Sequence, residues 1–233
     1  MLKIGICGLS VVTAAILGIR TGSRIPERLK AYMMSVLSIL CFIVAITSIQ
    51  KYADLLPVAL ALICGGILGG AANLSERISQ LAWSVTGKMK GFKPGGAIKE
   101  EDFRKDFASI FSIVCLSGAG IMGSLIAGTT GDFSILMVKA LMDFPVAFLY
   151  GGRLGACICL LAVPEMALLA ALLLLSHPLQ MILTPDVSGN LYACGGAVIL
   201  SSAFSMAGIR NFYSPNLMPA MVLVIPFSLI LGT

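Results

Sequence analysis

The sequence predicts an all-α protein, a bundle of about eight transmembrane helices. Three observations lead to this prediction. First, 58% of the 233 residues are hydrophobic and only 12% are charged, whereas about 25% of residues are charged in soluble globular proteins. Second, apolar runs of about 17 to 25 residues, the length that crosses a bilayer, recur along the chain. Third, basic residues are concentrated in every second connection between these runs.

The apolar runs define the predicted spans. They lie at residues 3–19, 31–49, 55–72, 107–127, 133–150, 154–176, 190–208 and 215–232. The first span resembles a secretory signal peptide, but it lacks an A-x-A cleavage site and leads into a basic loop, so we expect it to be retained. The connection GTTGD at 128–132 is very short, so spans four and five either both cross the membrane or form a re-entrant hairpin.

The basic residues predict the orientation of the bundle. Thirteen of the sixteen Lys and Arg residues lie in the connections after spans one, three, five and seven. Cytoplasmic loops carry such an excess, so these connections are predicted to be cytoplasmic and both termini to point outward. Topology thereby explains the net charge of +5, and no nucleic-acid partner is expected. The seven cysteines lie in apolar runs without CxxC spacing, which favours packing over disulfides or a metal site.

A weak internal repeat relates the two ends of the chain. A shift of 162 positions aligns residues 29–70 with 191–232 without a gap and places Pro57 on Pro219. Spans one to three would then start outside and spans six to eight inside. The predicted arrangement is an inverted 3+3 repeat flanking a central helix pair, which is frequent in secondary transporters. The alternative is a duplicated membrane protein that has no transport cycle.

Four regions follow from the repeat. The central linker opens with an amphipathic stretch, which suits either a helix in the cytoplasmic interface or a solvated linker. The regions are an N-terminal three-helix repeat at 1–72, a cytoplasmic linker at 73–106, a central helix pair at 107–152 and a C-terminal three-helix repeat at 153–233.

The charged residues inside the predicted spans form the candidate site. Lys139 and Asp143 stand four residues apart in span five, and Glu165 lies in span six. Because charge at membrane depth is costly, such residues usually mark an ion or substrate site. Pro145 and Pro164 each remove a backbone hydrogen bond near an acid and leave a carbonyl free, which suits Na⁺ or a relayed proton.

These residues receive distinct expected roles. Asp143 is predicted to bind a cation or proton, Lys139 to compete with that ion, and Glu165 to assist. The alternatives are a permanent Lys–Asp pair that fixes helix packing and a protonated Glu165 that only bonds a neighbouring helix. Asp132 is expected to cap span five, although with Thr129 and Thr130 it could instead admit an ion at the outer mouth.

Span three contains two overlapping GxxxG pairs, which let helix backbones approach closely and allow a homodimer. Their glycines are Gly65, Gly66, Gly69 and Gly70.

The segment SGAGIMGSLIAGTTGDFSILMVKALMD at 117–143 resembles a bacterial membrane family of unknown function that includes the YdfK and YqgA proteins. The matching positions are Gly123, Ser124, Gly131, Asp132, Lys139 and Asp143. The resemblance covers nearly the whole chain, adds Ser124 to the candidate site and implies an inner-membrane protein, often described as a transporter. The family tends to carry glutamine where Glu165 stands, so the resemblance does not require Glu165 to ionise.

These observations predict a small ion-coupled secondary transporter or permease of the bacterial inner membrane. No HExxH, GxSxG or Walker motif is present, so catalysis is not expected. No cofactor is expected beyond Na⁺ or H⁺ as the coupling ion, and the expected partners are the lipid bilayer, a small solute or ion, and a second copy of the chain. The alternative is a membrane scaffold or sensor that acts through the linker at 73–106.

Overall fold

A computed structural model describes most of the chain outside its central linker. The described residues are 2–21, 25–77, 80, 107, 110–111, 113–115, 117–179, 184–210 and 212–231. Every regular element in this part is helical, as the composition predicts. Of the predicted cytoplasmic linker at 73–106, only residues 73–77 and 80 are described. The proposed interfacial helix therefore lies almost wholly outside the described residues.

The described ranges contain eight long α-helices, which we number in chain order. They are α1 (Leu2–Thr21), α2 (Glu27–Ile49), α3 (Leu55–Ala71), α4 (Gly118–Thr130), α5 (Ser134–Leu154), α6 (Ala162–Leu179), α7 (Pro185–Met206) and α8 (Met218–Leu231). Two 3-10 helices, Gly155–Leu161 and Ser214–Leu217, precede α6 and α8.

Two boundaries differ from the sequence-based prediction. Span four was expected as one run at 107–127, but the long helix of the described residues begins only at Gly118, after Ser117 in an extended conformation. Span six was expected to open at 154 as an α-helix, but it begins as the 3-10 helix Gly155–Leu161. In contrast, α5 continues through Pro145 without interruption.

Within the described ranges, five helical segments are long and apolar enough to cross a membrane. They are Arg28–Ile49, Ile113–Thr130, Ser134–Ser176, Pro185–Met206 and Ser214–Leu231. The third runs over 43 residues, about twice the length that one crossing needs. Two further apolar helices, Gly5–Thr21 and Leu55–Ala71, are shorter. By length and composition the chain is therefore a helical membrane protein with several candidate spans.

The helices pack in pairs whose relative directions can be read from individual contacts. Helix α1 runs parallel to α5, since the Ser10 hydroxyl donates to the Ala140 carbonyl at 2.7 Å and Gly18 lies against the backbone of Phe148. Helix α2 runs antiparallel to α7, since Ser38 donates to the Ala203 carbonyl at 2.9 Å. At the other end of this helix pair, Gly196 lies against the backbone of Ala45 and against the side chain and backbone of Ile49.

Helices α3 and α8 also pack antiparallel, through glycine contacts. Gly65 faces the backbone of Ala220 on α8, and Gly69 faces the backbone of Asn216 in the 3-10 helix Ser214–Leu217 that leads into α8. Small residues permit this close approach of two helices in lipid. One of the two predicted GxxxG pairs is thus used within the chain, against α8 and the 3-10 helix before it.

The buried side chain of Asn190 ties three helices together. Its Oδ1 accepts hydrogen bonds from the backbone amides of Ala53 at 3.0 Å and Asp54 at 2.9 Å, just before α3. Its Nδ2 donates to the Ser228 hydroxyl on α8 at 3.1 Å. One side chain on α7 therefore satisfies two amides in the α2–α3 connection and a polar group of α8.

Replacing Asn190 with alanine should lower the free energy of unfolding by about 1–3 kcal/mol, because it leaves these partners unsatisfied. Asn190→Asp keeps an acceptor for the two amides and should lose less. Unfolding in detergent, followed by the loss of helical circular dichroism, measures both variants. Equal stabilities for the alanine variant and the parent would contradict the proposed role of Asn190.

Candidate functional site

Lys139 lies between two carboxylates in the interior of the bundle. Its Nζ donates to Asp143 Oδ2 and to Glu165 Oε1. The exposed fractions are 2% for Lys139, 4% for Asp143 and 0% for Glu165. These are the only charged residues that are buried within the described part of the chain, and we refer to them as the triad.

Local helix geometry places the first two members of the triad together. Lys139 and Asp143 are four residues apart on α5, so their side chains lie on one face of the helix, one turn apart. Asp143 is the tenth of the 21 residues of α5, which places the pair near the middle of the helix. The predicted Lys–Asp contact is therefore present in the structure.

Glu165 reaches the same lysine because the chain reverses between α5 and α6. If residues 139 to 165 formed one straight α-helix, the two positions would stand roughly 39 Å apart. The reversal begins at Gly155, whose φ of 73° lies in the left-handed region and ends α5. The 3-10 helix Gly155–Leu161 follows, and Pro164 stands at its junction with α6, where it cannot donate a helical hydrogen bond.

The sequence suggested Glu165 as an accessory on a consecutive helix, but it did not indicate that Glu165 shares the lysine. One signal was available. Lys139 and Glu165 each stand thirteen residues from Gly152, so a hairpin centred on the Gly151–Gly152 pair brings them to the same level. The predicted cytoplasmic turn at this point had already implied such a hairpin.

Helices α1 and α4 enclose the triad. A Cβ on Gly120 of α4 would lie 2.7 Å from Lys139 Cε, so the lysine side chain fills the space that a side chain at Gly120 would occupy. An apolar cluster of buried residues, which includes Cys7, Leu136 and Leu169, packs beside the charged groups. Such surroundings strengthen ionic contacts and raise the cost of any uncompensated charge.

Two buried side-chain oxygens in the described part of the chain have no hydrogen-bond partner. They are Glu165 Oε2 and Ser124 Oγ. Ser124 is fully buried and lies on the same face of α4 as Gly120 and Gly128, which are four residues away on either side. Gly120 faces Lys139, while Gly128 faces Ser176 and Leu173 of α6, so this face of α4 lies against both the lysine and the helix that carries Glu165.

A cavity of about 50 Å³ adjoins the triad on the side of Lys139 and Asp143. A cavity needs about 10–15 Å³ on this measure to hold one water molecule, so a few waters or a small ion fit. Residues of α2, α4, α5 and α7 line it, among them Cys41, Ser117, Val146 and Ser202. Glu165 is not among the lining residues. One carboxyl therefore faces the cavity, and the other lies behind the lysine.

The start of α4 also borders this cavity. The Ser117 hydroxyl accepts a hydrogen bond from the Gly120 amide at 3.1 Å and caps the helix, and Gly118 and Ala119 contribute to the cavity wall. Helix α4 has 13 residues and is about 20 Å long, shorter than a hydrocarbon core of about 30 Å. Its first turn lies at the level of Lys139, against which Gly120 packs.

Asp132 stands apart from the triad. Its Oδ1 accepts a hydrogen bond from the Ser134 amide at 2.8 Å, so it bonds the first amide of α5, as expected of a capping carboxylate. The residue at the helix boundary itself is Phe133, without a side-chain cap. Thr129 and Thr130 bond carbonyls of their own helix. Of the five predicted site residues, three form the triad, Ser124 lies on the face of α4 whose Gly120 contacts Lys139, and Asp132 bonds the first amide of α5.

The triad can accept one more positive charge. With Lys139 protonated and both acids ionised, its formal charge is −1. A buried charge without compensation costs several kcal/mol, so a proton or a monovalent cation is the chemical species that this arrangement can take up and release. Within the described residues, no group of three or more His, Cys, Asp or Glu side chains is placed to hold a metal ion.

Comparisons with known proteins agree with the resemblance seen in the sequence. The chain is 26% identical over 219 residues to the uncharacterized protein YqgA of Escherichia coli strain K12, covering 94% of this chain and 92% of that protein. It is 23% identical over 174 residues to the uncharacterized membrane protein YdfK of Bacillus subtilis strain 168, covering 75% and 69% of the two chains. No solved structure matches it.

A family model described as a protein of unknown function, DUF554, matches residues 4–229. The predicted family is thereby confirmed, and the chain belongs to the DUF554 family of proteins of unknown function.

Proposed function

We propose that this protein is a small ion-coupled secondary transporter or permease of the bacterial inner membrane. The observation that supports this most directly is the triad, which places one lysine between two buried carboxyls beside a cavity. Charged side chains within membrane spans usually mark ion or substrate pathways. A purely structural ion pair would be charge-balanced, whereas this group has one acid more than it has bases.

Helix packing supports the inverted repeat that underlies the proposal. The shift of 162 positions equates α2 with α7 and α3 with α8, and the members of each pair pack antiparallel on one another. Helix α1 runs parallel to α5. Helix α4 runs parallel to α6, since Cys115 bonds Leu161 just before the two helices and Gly128 faces Leu173 and Ser176 further along them. This is the pattern expected when α1 corresponds to α6, and α4 and α5 exchange roles about an axis in the membrane plane.

The proposed cycle uses the two carboxyl partners of Lys139. Asp143 faces the cavity and binds the coupling cation or the solute, while Lys139 neutralises it when the site is empty. When a cation binds at Asp143, Lys139 keeps its bond to Glu165 and remains compensated. Glu165 thus holds the lysine in place during the exchange, which avoids an isolated buried charge at either step.

The proposed orientation follows the positive-inside rule. The basic connections face the cytoplasm, and both termini face outward. The directions of the packed helices fit this alternating arrangement, since α1 and α5 would both run inward while α4 and α6 would both run outward. We place the protein in the inner membrane on this argument together with the family resemblance.

Asp143→Asn should reduce gradient-driven transport at least tenfold while leaving the protein folded. A thermal-shift screen of small solutes in detergent, with and without Na⁺, identifies a ligand. Uptake of that radiolabelled solute into proteoliposomes, driven by a pH or Na⁺ gradient, then measures transport. Asparagine keeps the size of aspartate and can still accept a hydrogen bond from Lys139, but it carries no charge to exchange.

Asp186→Asn provides the matched control, because Asp186 is exposed in the first turn of α7. This variant should transport at the parental rate. Transport by Asp143→Asn at the parental rate would contradict the assigned role of Asp143. If a variant with residues 73–106 replaced still transported the solute but no longer functioned in cells, the alternative function as a scaffold or sensor would be favoured instead.

A further inference from the structure

Three serine hydroxyls meet where the end of α7 packs against the 3-10 helix that leads into α8. The Ser214 hydroxyl lies 2.9 Å from the Ser201 hydroxyl and 3.0 Å from the Ser202 hydroxyl. Ser201 is buried, whereas Ser202 and Ser214 are half-buried. Hydroxyls from two separate segments are therefore in hydrogen-bond contact, and we refer to these three residues as the serine cluster.

One end of the serine cluster reaches the cavity beside the triad. Ser202 lines this cavity together with Asp143 and with Ile199 and Met206 of its own helix. The other two members of the cluster do not line it. Ser202 is thus the residue that joins the cluster to the space that Asp143 borders.

The other end of the serine cluster reaches the connection between α7 and α8. Ser205 lies one turn beyond Ser201 and donates to its carbonyl at 3.0 Å. The Ser205 hydroxyl in turn accepts a hydrogen bond from the Phe212 amide at 3.3 Å. Phe212 and Arg210 are exposed. Polar groups therefore continue from the cavity to the surface that carries Arg210.

The backbone at Tyr213 supports the placement of Ser214. Its φ of 48° and ψ of 57° lie in the left-handed region, which residues other than glycine seldom adopt. Such a conformation persists only where surrounding contacts hold it. The hydroxyl of the next residue contacts two serines of α7, so the unfavourable backbone is retained at the point where the cluster is assembled.

The hydrogen bonds of the serine cluster leave acceptor capacity at the cavity. Each hydroxyl has one hydrogen to donate and can accept others. Ser201 donates to the Val198 carbonyl at 2.7 Å, so Ser214 donates to Ser201 and accepts from Ser202. Every hydrogen in this chain of hydroxyls then has an acceptor. The Ser202 oxygen can still accept from water in the cavity or contact a small cation there.

We infer that the serine cluster is the cytoplasmic half of the ion path, through which the coupling ion passes between Asp143 and the surface that carries Arg210. This inference rests on the proposed transport function and orientation. The hydroxyls lie within 3.0 Å of one another, which leaves no room for an organic solute, so the path serves water, a proton or a monovalent cation. It agrees with the proposed cycle, in which the ion binds and leaves at Asp143.

Sided thiol labelling tests the path without a transport assay. The Ser202→Cys and Ser214→Cys variants are reconstituted in lipid vesicles of known orientation. Each face is then exposed in turn to a permanently charged methanethiosulfonate, which does not cross lipid, and mass spectrometry of peptides identifies the cysteines that react. Both introduced thiols should react from the face that carries Arg210 and not from the opposite face.

Two other thiols provide the matched controls for labelling. Asp186→Cys introduces an exposed thiol at the other end of α7, which should react only from the opposite face. The native Cys194 is fully buried on α7 and does not line the cavity, so it should stay unmodified while the protein is folded. Protection of the Ser202→Cys thiol from both faces, or its reaction from the face of Asp186, would overturn the path.

Ser214→Ala tests whether the hydroxyls conduct the ion. Loss of the central hydroxyl should slow ion flux about tenfold, the scale of one hydrogen bond lost during passage. Flux into proteoliposomes is measured with radioactive Na⁺ and, for protons, with a trapped pH-sensitive dye. Ser214→Thr keeps the hydroxyl and should restore the parental rate. Ser35→Ala removes an exposed hydroxyl that donates to the Ala31 carbonyl of its own helix, and it should leave the rate unchanged.

The outcomes separate this inference from a structural role and from the proposed function. If Ser214→Ala lowered the melting temperature but left both fluxes unchanged, the serines would only join α7 to the next helix, and the path would be overturned. Labelling of Ser202→Cys from the face of Arg210 without any ion flux in the parent would instead remove the transport function, while the cluster would stand as the route of water to the cavity. Ion flux in the parent without labelling of Ser202→Cys has the opposite meaning.

Discussion

Replacing Lys139 with methionine should lower the free energy of unfolding by about 3–5 kcal/mol, the cost of removing one partner from a buried ion pair. Methionine has a similar length and fills the space beside Gly120, so the loss reports on charge rather than on volume. Asp143 and Glu165 would then face each other without a cation. Chemical unfolding in detergent, followed by circular dichroism, measures the change.

The triple variant Lys139→Met, Asp143→Asn, Glu165→Gln is the matched control. It removes every charge of the triad while keeping the size of the side chains, and neutral replacements of buried ion pairs are often tolerated. It should recover most of the stability that the single variant loses. If Lys139→Met alone were as stable as the parent, the triad would not have the energetic role assigned to it.

The second large effect is expected where α3 contacts the 3-10 helix Ser214–Leu217 that leads into α8. Gly69→Ala should lower the free energy of unfolding by about 2–3 kcal/mol, because overpacking forces two backbones apart. A Cβ at this position would overlap the carbonyl oxygen of Asn216, which belongs to the backbone and cannot rotate away. The same unfolding measurement in detergent detects the loss.

Gly70→Ala serves as the control for the Gly69 variant because it changes the neighbouring residue of the same helix. Nothing lies within 4 Å of a Cβ at Gly70. Alanine is favoured over glycine in a helix by about 1 kcal/mol, so this variant should be as stable as the parent or slightly more stable. Similar losses of stability in both variants would show that the close contact with Asn216 does not cause the effect.

The helical class and the site residues on α5 could be predicted because they depend on local rules. Apolar runs of sufficient length must form helices in lipid to satisfy their backbone, and a spacing of four residues puts Lys139 and Asp143 on one face whatever the rest of the fold does. Both features need only a few consecutive residues, so they are visible in the sequence.

The remaining features depend on contacts between distant segments. The bond from Lys139 to Glu165 depends on the direction in which α6 packs back along α5. The helix break at Ser117 depends on the packing of α4 against α7. Pro145 illustrates the limit of local rules. A proline near Asp143 suggested a local opening of the helix, but α5 continues through it, and the irregular winding occurs before Pro164 instead. Tertiary packing decides which proline disrupts its helix.

The winding of Gly155–Leu161 determines which way Glu165 points. A 3-10 helix rises about 2.0 Å and turns about 120° per residue, whereas an α-helix rises 1.5 Å and turns about 100°. If these seven residues rewound into an α-helix, α6 would be drawn back by about 3.5 Å and rotated by roughly 140° about its own axis. This combined shift and rotation would move the carboxyl of Glu165 to the opposite side of α6, out of reach of Lys139.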